Sequence, residues 1–221
     1  MIGRLEFVLA ILGAALPVGI FIAWARRKNA KRLPPGSIVA ETHFMKGESR
    51  TPGTRWSWYL GVVGGLIYEL SIFALLIIYM VSFVEPTIDL WIYMAPLVLD
   101  LPVWLNWIGI FGIWFLEGLH SAVQFYNVNF TPCYKAMKSK YVLATGGPYK
   151  FIRHPAYLRL SMDTIFGFLA TGVWIYVFGV ISWFALRSQA KAEEVMLEKR
   201  FGKVYTEYEA RTGGFFPKFR H

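Results

Sequence analysis

The chain has 221 residues, of which 56 % are hydrophobic and 18 % aromatic, and its formal net charge is +9. A mean hydropathy of +0.43 is higher than soluble domains usually have, so the composition favours a single integral membrane domain. The basic residues lie beside apolar segments, which indicates loops facing anionic lipid and argues against nucleic acid as a partner. Cys133 is the only cysteine, which excludes an intrachain disulfide and a cysteine-rich metal site.

Apolar segments of spanning length predict the first membrane helices. Leu5–Ala25 has the ~20 residues that a spanning helix needs, and the basic run after it suits an anchor better than a signal peptide, which is the competing interpretation. We predict a second span at Trp56–Val84 and a third at Pro102–Phe125. Trp91–Leu99 is apolar but too short to cross, so we expect it at the interface or tucked back into the bundle.

The last apolar run, Tyr157–Leu186, is too long for one helix and too short for two full spans. Thr171-Gly172 near its middle suits a turn. We therefore predict a tight helical hairpin, followed by a cytoplasmic C-terminal amphipathic helix. The expected fold is an all-α integral membrane protein with about five transmembrane segments.

The distribution of charge predicts the orientation in the membrane. Eight Lys and Arg lie between Arg26 and Arg55 and five between Lys135 and Arg153, whereas the intervening loop carries Glu85 and Asp89. By the positive-inside rule the N-terminus is outside, and the basic loops and the C-terminus are cytoplasmic. The membrane would be the plasma membrane in a prokaryote and the endoplasmic reticulum in a eukaryote.

A charged and rigid stretch, GGPYKFIRHPAY at Gly146–Tyr157, precedes the hairpin. Pro155 suits the first turn of a helix, so we expect that helix to begin near His154 with its free N–H groups facing the cytoplasm. Such an end attracts an anion, Arg153 would strengthen the attraction, and the two glycines would let the backbone approach a ligand. The alternative is an anchor whose basic side chains contact lipid phosphates.

A second polar region follows the hairpin. Helical spacing predicts an apolar stripe formed by Leu197, Phe201, Val204, Tyr205 and Tyr208. Glu193 lies one turn before the stripe, on the same face, whereas Glu194 is rotated by about 100° and is expected to be solvated. An acid on a buried face needs a partner, which could be a basic side chain of the protein or a bound cation.

These two segments together resemble the isoprenylcysteine carboxyl methyltransferase family. The motifs are GGPYKFIRHPAY and EEVMLEKRFGKVYTEYEARTG, separated by the hairpin, and the likeness covers about Tyr141 to Phe219. Prokaryotic members are the most similar in appearance, and phospholipid methyltransferases share the signature. The resemblance implies S-adenosylmethionine as cofactor, bound from the cytosol, and a lipophilic acceptor that enters from the bilayer.

Residue by residue, the resemblance assigns cofactor contacts to both motifs. We add Arg153 and Ala156, which lie within the first motif, and the full expected set is Tyr141, Val142, Leu143, Ala144, Tyr149, Arg153, His154, Pro155, Ala156, Tyr157 and Glu193. The cofactor's carboxylate would suit the helix start at His154. Its ammonium and sulfonium would suit Glu193 and the tyrosine rings.

The sequence departs from the family pattern at two positions. Tyr141 stands where the family usually has histidine. Gln189 stands where many members have an arginine assigned to the acceptor's carboxylate. Arg187 is an imperfect replacement because it falls almost on the opposite helix face. Arg159 forms an i, i+4 pair with Asp163 within the hairpin, which marks either an acceptor contact or a structural salt bridge.

The chemistry implied by the resemblance is methyl transfer, most directly to a prenylcysteine carboxylate, which is ionised near pH 7 and needs no general base. His120 and Glu117 could serve as bases if the acceptor were an amine. We treat 1–221 as one membrane domain, with residues 1–134 on the acceptor side and 135–221 as the cofactor-binding core. The alternatives are a phospholipid-amine or thiol methyltransferase, an NADPH-dependent sterol-type reductase, and a lipid-binding adaptor without catalysis.

Overall fold

The computed structural model describes residues 4–29, 31–39, 73–82, 95–129 and 142–218, together with Tyr59, Val63, Leu70, Val84, Glu85 and Thr87. The helices within these residues are α1 (Arg4–Asn29), α2 (Phe73–Ser82), α3 (Val103–Tyr126), α4 (Pro155–Thr171), α5 (Val180–Phe201) and α6 (Lys203–Arg211). The strands are β1 (Ser37–Val39) and β2 (Val142–Ala144), and short 3₁₀ helices cover Ala95–Leu97, Gly147–Lys150 and Trp174–Gly179.

Helices α1 and α3 coincide with the predicted first and third spans. Among the described residues these two are long and apolar enough to cross a membrane, and only 22 % and 39 % of their most apolar windows are buried. Exposed apolar helix faces of this size support a membrane protein. Much of the second span lies outside the described residues, and the number of five spans stays a prediction.

The helices pack around a core that joins the N-terminal part of the chain to the hairpin. Phe7 of α1 meets Tyr79 of α2 edge-on at 5.5 Å, and both belong to one buried cluster with residues of α3 and α4. Among the described elements, helices α3 and α4 form the most extensive contact. Gly109 permits it, since a Cβ at this position would overlap the backbone of Ala170.

The hairpin turns at the predicted place. Helix α4 ends at Thr171, and Gly172 adopts a left-handed conformation with φ +73°, which is the usual C-terminal cap of a helix. The backbone N–H of Leu99 donates to the carbonyl of Gly172 at 2.8 Å, so the described end of the Trp91–Leu99 segment is tucked against the hairpin turn. The chain then passes through a 3₁₀ helix before α5 begins.

The structure adds one β element to the expected all-α fold. Strands β1 and β2 form an antiparallel pair in which Ser37 lies opposite Ala144 and Val39 opposite Val142. Each strand has three residues, too short for a recognisable alternating pattern. The pair joins the segment after α1 to the start of the predicted cofactor-binding core.

Candidate functional site

The turn before α4 is held by the C-terminal segment. Helix α4 begins at Pro155 with His154 as its N-terminal cap, as predicted. The backbone N–H of Arg153 donates to the carbonyl of Gly213 at 2.8 Å, and that of His154 donates to the carbonyl of Gly214 at 3.0 Å. The two motifs quoted above are therefore in direct contact.

His154 lies between two carboxylates of α5. Its Nε2 is 2.9 Å from Glu194 Oε1, and its Nδ1 is 3.7 Å from Glu193 Oε2. The His154 side chain is buried, and its ring stacks on that of Tyr157 at 5.5 Å. The structure thus brings Glu193, His154 and Tyr157 together, as the resemblance implies.

The expectation that Glu194 is solvated is wrong. Besides contacting His154, its carboxylate accepts a hydrogen bond from Arg153 Nε at 2.8 Å. Burial by itself raises the pKa of Glu194, but hydrogen bonds and charge from His154 and Arg153 outweigh burial and leave the pKa below its ordinary value. The physical reason is that both adjacent acids border the same turn, so a rotation of 100° still leaves Glu194 within reach of it.

Arg153 is satisfied by protein groups. In addition to Glu194, its guanidinium pairs with the carboxylate of Glu209 at 3.1 Å and donates to the carbonyls of Glu209 and Thr212 at 3.2 and 2.7 Å. Glu209 lies on α6 and Thr212 follows it directly. Arg153 therefore fastens the C-terminal segment to the turn, and its expected contact with a cofactor anion stays a prediction.

The glycines of the first motif also have a structural use. A Cβ at Gly146 would overlap the carbonyl oxygen of Pro35, and a Cβ at Gly147 would overlap the ring of Tyr126. Gly147 has φ +55°, in the left-handed region. These glycines are thus required for packing within the protein, and their expected approach to a ligand stays a prediction.

Strand β2 carries three of the expected cofactor residues. The side chain of Asn129 forms two hydrogen bonds with the backbone of Val142. It donates to the carbonyl at 2.5 Å and accepts from the N–H at 3.2 Å. Leu143 is buried against Leu197 of α5, and Ala144 packs with a cluster that includes Tyr149. Tyr141, the remaining residue of this segment, lies outside the described residues.

Tyr149 is buried and has two polar partners. Its hydroxyl accepts a hydrogen bond from Asn127 at 3.1 Å, and its carbonyl accepts one from the Tyr208 hydroxyl at 2.8 Å. Burial raises the pKa of the Tyr149 hydroxyl, the Asn127 hydrogen bond opposes the rise, and the charge of Glu193 adds to it. This influence places Tyr149 near Glu193, although 44 residues separate the two in the sequence.

The predicted stripe on the C-terminal helix is largely confirmed, but it is divided between two helices. Gly202, with φ +51°, separates α5 from α6. Leu197, Tyr205 and Tyr208 are buried in one cluster with Leu143. Val204 is exposed because the break at Gly202 changes the helix direction and rotates it out of the stripe.

The three expected acceptor residues are in different environments. Gln189 is 4 % exposed, and neither its amide nitrogen nor its amide oxygen has a hydrogen-bond partner among the described residues. Arg187 is exposed. Arg159 contacts Asp163 at 3.2 Å, as predicted, and also pairs with Glu117 of α3. Sequence reasoning missed this second carboxylate, since it comes from a helix about 40 residues away.

A known protein is similar to part of this chain. A protein-S-isoprenylcysteine O-methyltransferase of Dictyostelium discoideum is 31 % identical to it over 136 residues, which are 58 % of this chain and 54 % of the relative. The chain thus spans about half the length of this curated relative. No family model matches the chain. The similarity agrees with the resemblance in the motifs and supports an enzyme of the methyltransferase type.

Proposed function

We propose that the protein transfers a methyl group from S-adenosylmethionine to a lipophilic acceptor, most directly the carboxylate of a prenylcysteine. The observation that carries this proposal is the meeting of the two motifs, with His154 between Glu193 and Glu194 at the start of α4. The relative's name, which contains both the reaction and the isoprenylcysteine substrate, supports it independently.

The charges around His154 fit a positively charged cofactor. Three carboxylates, those of Glu193, Glu194 and Glu209, face one guanidinium and one imidazole. Two of them pair with Arg153, and Glu193 lies beside the His154 ring. A sulfonium and an ammonium group would be stabilised in this field, and the aromatic ring of Tyr157 offers a further surface for a cation.

The residues of the chain would act by binding and positioning. S-adenosylmethionine, when bound, would supply a methyl group made electrophilic by a positively charged sulfur. Glu193 would hold the cofactor's cationic end, and β2 and Tyr149 would form a buried wall. Because a carboxylate acceptor is already ionised near neutral pH, its oxygen attacks without losing a proton, and alignment and exclusion of water provide the catalysis.

The acceptor's polar end is best served by Gln189. A buried primary amide without a partner is costly, and a ligand that both accepts and donates hydrogen bonds would remove that cost. Gln189 lies four residues before Glu193 and so shares its helix face. Arg159 is the weaker candidate because two carboxylates already surround it.

One observation favours a second acceptor class, the amine of a phospholipid. Glu117, Arg159 and Asp163 together carry one more negative than positive charge, between two packed helices. Such a cluster would attract an ammonium head group more readily than a carboxylate. In that case Glu117 is the candidate base, because an ammonium must lose a proton before it can accept a methyl group.

The first experiment is calorimetric titration of the detergent-purified protein with S-adenosylhomocysteine and, separately, with NADPH. We expect S-adenosylhomocysteine to bind and Glu193→Ala to weaken its binding at least about tenfold, the loss typical of a hydrogen bond to a charged group. Glu207→Ala is the matched control, since this exposed glutamate of α6 has only a loose pair with Lys203. Binding of NADPH alone would indicate the reductase, and binding of neither would leave the lipid-binding adaptor.

The acceptor is then identified by the product. Wild-type protein in liposomes would receive S-adenosylmethionine labelled in its methyl group, with either an N-acylated prenylcysteine or phosphatidylethanolamine as acceptor. Base-labile label on the prenylcysteine would identify a methyl ester and support the proposal. Base-stable label on the phospholipid would support the amine acceptor instead.

A further inference from the structure

The hydroxyl of Tyr205 is a buried polar group to which the proposed function gives no role. The side chain is 1 % exposed, and no hydrogen-bond partner for its hydroxyl exists among the described residues. Buried hydroxyls are normally paired, because an unpaired one keeps the full penalty of leaving water. Its neighbour Tyr208, with a ring centroid 6.1 Å away, follows that rule and donates to the carbonyl of Tyr149.

Tyr205 lies between the two halves of the proposed cofactor site. Its ring belongs to one buried cluster with Leu143 of β2 and Leu197 of α5. The same helix, one turn later, provides Glu209 to Arg153. Tyr205 is therefore buried in the cluster that joins this strand to the helix that carries Glu193, and the resemblance assigns cofactor contacts to both elements.

The hydroxyl also faces an excess of negative charge. Burial raises the pKa of Tyr205 most strongly, the charges of Glu194, Glu209 and Glu193 raise it further, and Arg153 opposes them. These four charged groups are therefore close enough to act on the phenolic oxygen. The hydroxyl lies in a field that favours a cationic hydrogen-bond donor over an anion.

Resting on the proposed function, we propose that Tyr205 binds S-adenosylmethionine by accepting a hydrogen bond from its α-ammonium group. A sulfonium has no N–H or O–H to donate, so it cannot satisfy a hydroxyl oxygen in this way. A primary ammonium has three N–H donors and can contact Glu193 and the Tyr205 oxygen together. Tyr205 is thereby a specificity-determining residue that distinguishes cofactors with a free amino group.

The test compares two ligands and two proteins. Wild type and Tyr205→Phe are titrated with S-adenosylhomocysteine and with its deaminated analogue, in which hydrogen replaces the α-amino group. We expect Tyr205→Phe to weaken S-adenosylhomocysteine binding about tenfold and to leave the affinity of the deaminated analogue unchanged. Equal affinities of wild type and Tyr205→Phe for S-adenosylhomocysteine would overturn the proposal, as would an equal loss for both ligands.

Thermal unfolding without ligand separates this role from a structural one. Tyr205→Phe removes a hydroxyl that has no described protein partner, so its melting temperature should be unchanged or higher, whereas Tyr208→Phe should melt lower because it loses a bond to Tyr149. Tyr176→Phe, a buried tyrosine near the hairpin turn, controls for the effect of any such substitution on affinity. Failure of wild type to bind S-adenosylhomocysteine would instead overturn the proposed function itself.

Discussion

The charged side chains at the His154 turn differ in the protein groups that they contact. Glu194 pairs with both His154 and Arg153, and Arg153 has two further carbonyl partners. Glu193 lies on the other side of the His154 ring, with its Oε2 3.7 Å from Nδ1. The first set holds two segments of chain together, and Glu193 is the acid to which the resemblance assigns a cofactor contact.

The lowered pKa of Glu194 makes part of the stability dependent on pH. Because its pKa in the folded protein lies below the ordinary value of 4.5, the folded protein binds this proton more weakly than the unfolded chain does. Glu194 therefore stabilises the fold at pH values above this ordinary pKa. The contribution is lost as the pH falls through the lowered folded-state pKa.

Glu194→Gln should lower the free energy of unfolding by about 1–2 kcal/mol at neutral pH, because it removes a charge-assisted pair. Thermal unfolding in detergent at neutral and acid pH measures the effect. The difference from wild type should shrink on acidification, and Glu207→Gln should change little at either pH because its side chain is 65 % exposed. A difference that is the same at both pH values would contradict the assignment.

Among the contacts of single residues, the sequence predicts those that are local and misses those that depend on distant segments. Helical spacing placed Glu193 on the same face as the apolar stripe, and the i, i+4 separation predicted the Arg159–Asp163 pair. The contacts of Arg153 with Glu209 and Thr212 could not be assigned, because they depend on how α6 folds back after Gly202 and span 56 and 59 residues of the sequence. In the sequence, Tyr205 is recognisable only as a member of an apolar stripe. The structure is needed to show that its hydroxyl is buried without a described hydrogen-bond partner.

Among the elements, the contact between α3 and α4 depends on small residues. Gly109 and Gly112 of α3 lie against Ala170 and Phe166 of α4. The amide of Asn106 donates to the carbonyl of Leu169 at 3.0 Å, one turn before Gly109. Close backbone packing and interhelical hydrogen bonds both contribute to the association of helices in a membrane.

Gly109→Ala should destabilise the protein by about 1–3 kcal/mol, because the added methyl group meets backbone that cannot move aside. Gly118→Ala on the same helix is the matched control, since no described atom lies within 4 Å of its Cβ position. The control should be neutral or slightly stabilising, by up to about 1 kcal/mol. Melting temperatures of the two variants provide the comparison, and equal values would argue against the close approach.

Long and strongly marked elements are those that the sequence predicts well. Apolar length identified α1 and α3, Pro155 identified the start of α4, and Gly172 identified its end. The β1–β2 pair escaped prediction because three-residue strands carry little pattern and their pairing depends on the tertiary fold. The Glu117–Arg159 pair was missed for the same reason, since it requires the packing of α3 on α4.

The orientation of the whole molecule in the membrane stays a prediction, and the single cysteine of the sequence makes it testable. Cys133, the only cysteine, lies outside the described residues in the basic loop expected to be cytoplasmic. A membrane-impermeant maleimide should label it in inside-out vesicles and not in right-side-out vesicles. The double variant Cys133→Ser/Thr87→Cys should show the opposite pattern, since Thr87 lies in the loop expected outside. Labelling of Cys133 from outside would overturn the orientation.

The small β1–β2 sheet has a consequence for the biosynthesis of the chain. Ser37 pairs with Ala144, so the first strand leaves the ribosome about 100 residues before its partner does. At typical rates of translation the interval is roughly 5–20 s. The β1–β2 pair therefore forms only after β2 has been synthesised, and a chain that stops before β2 lacks this contact.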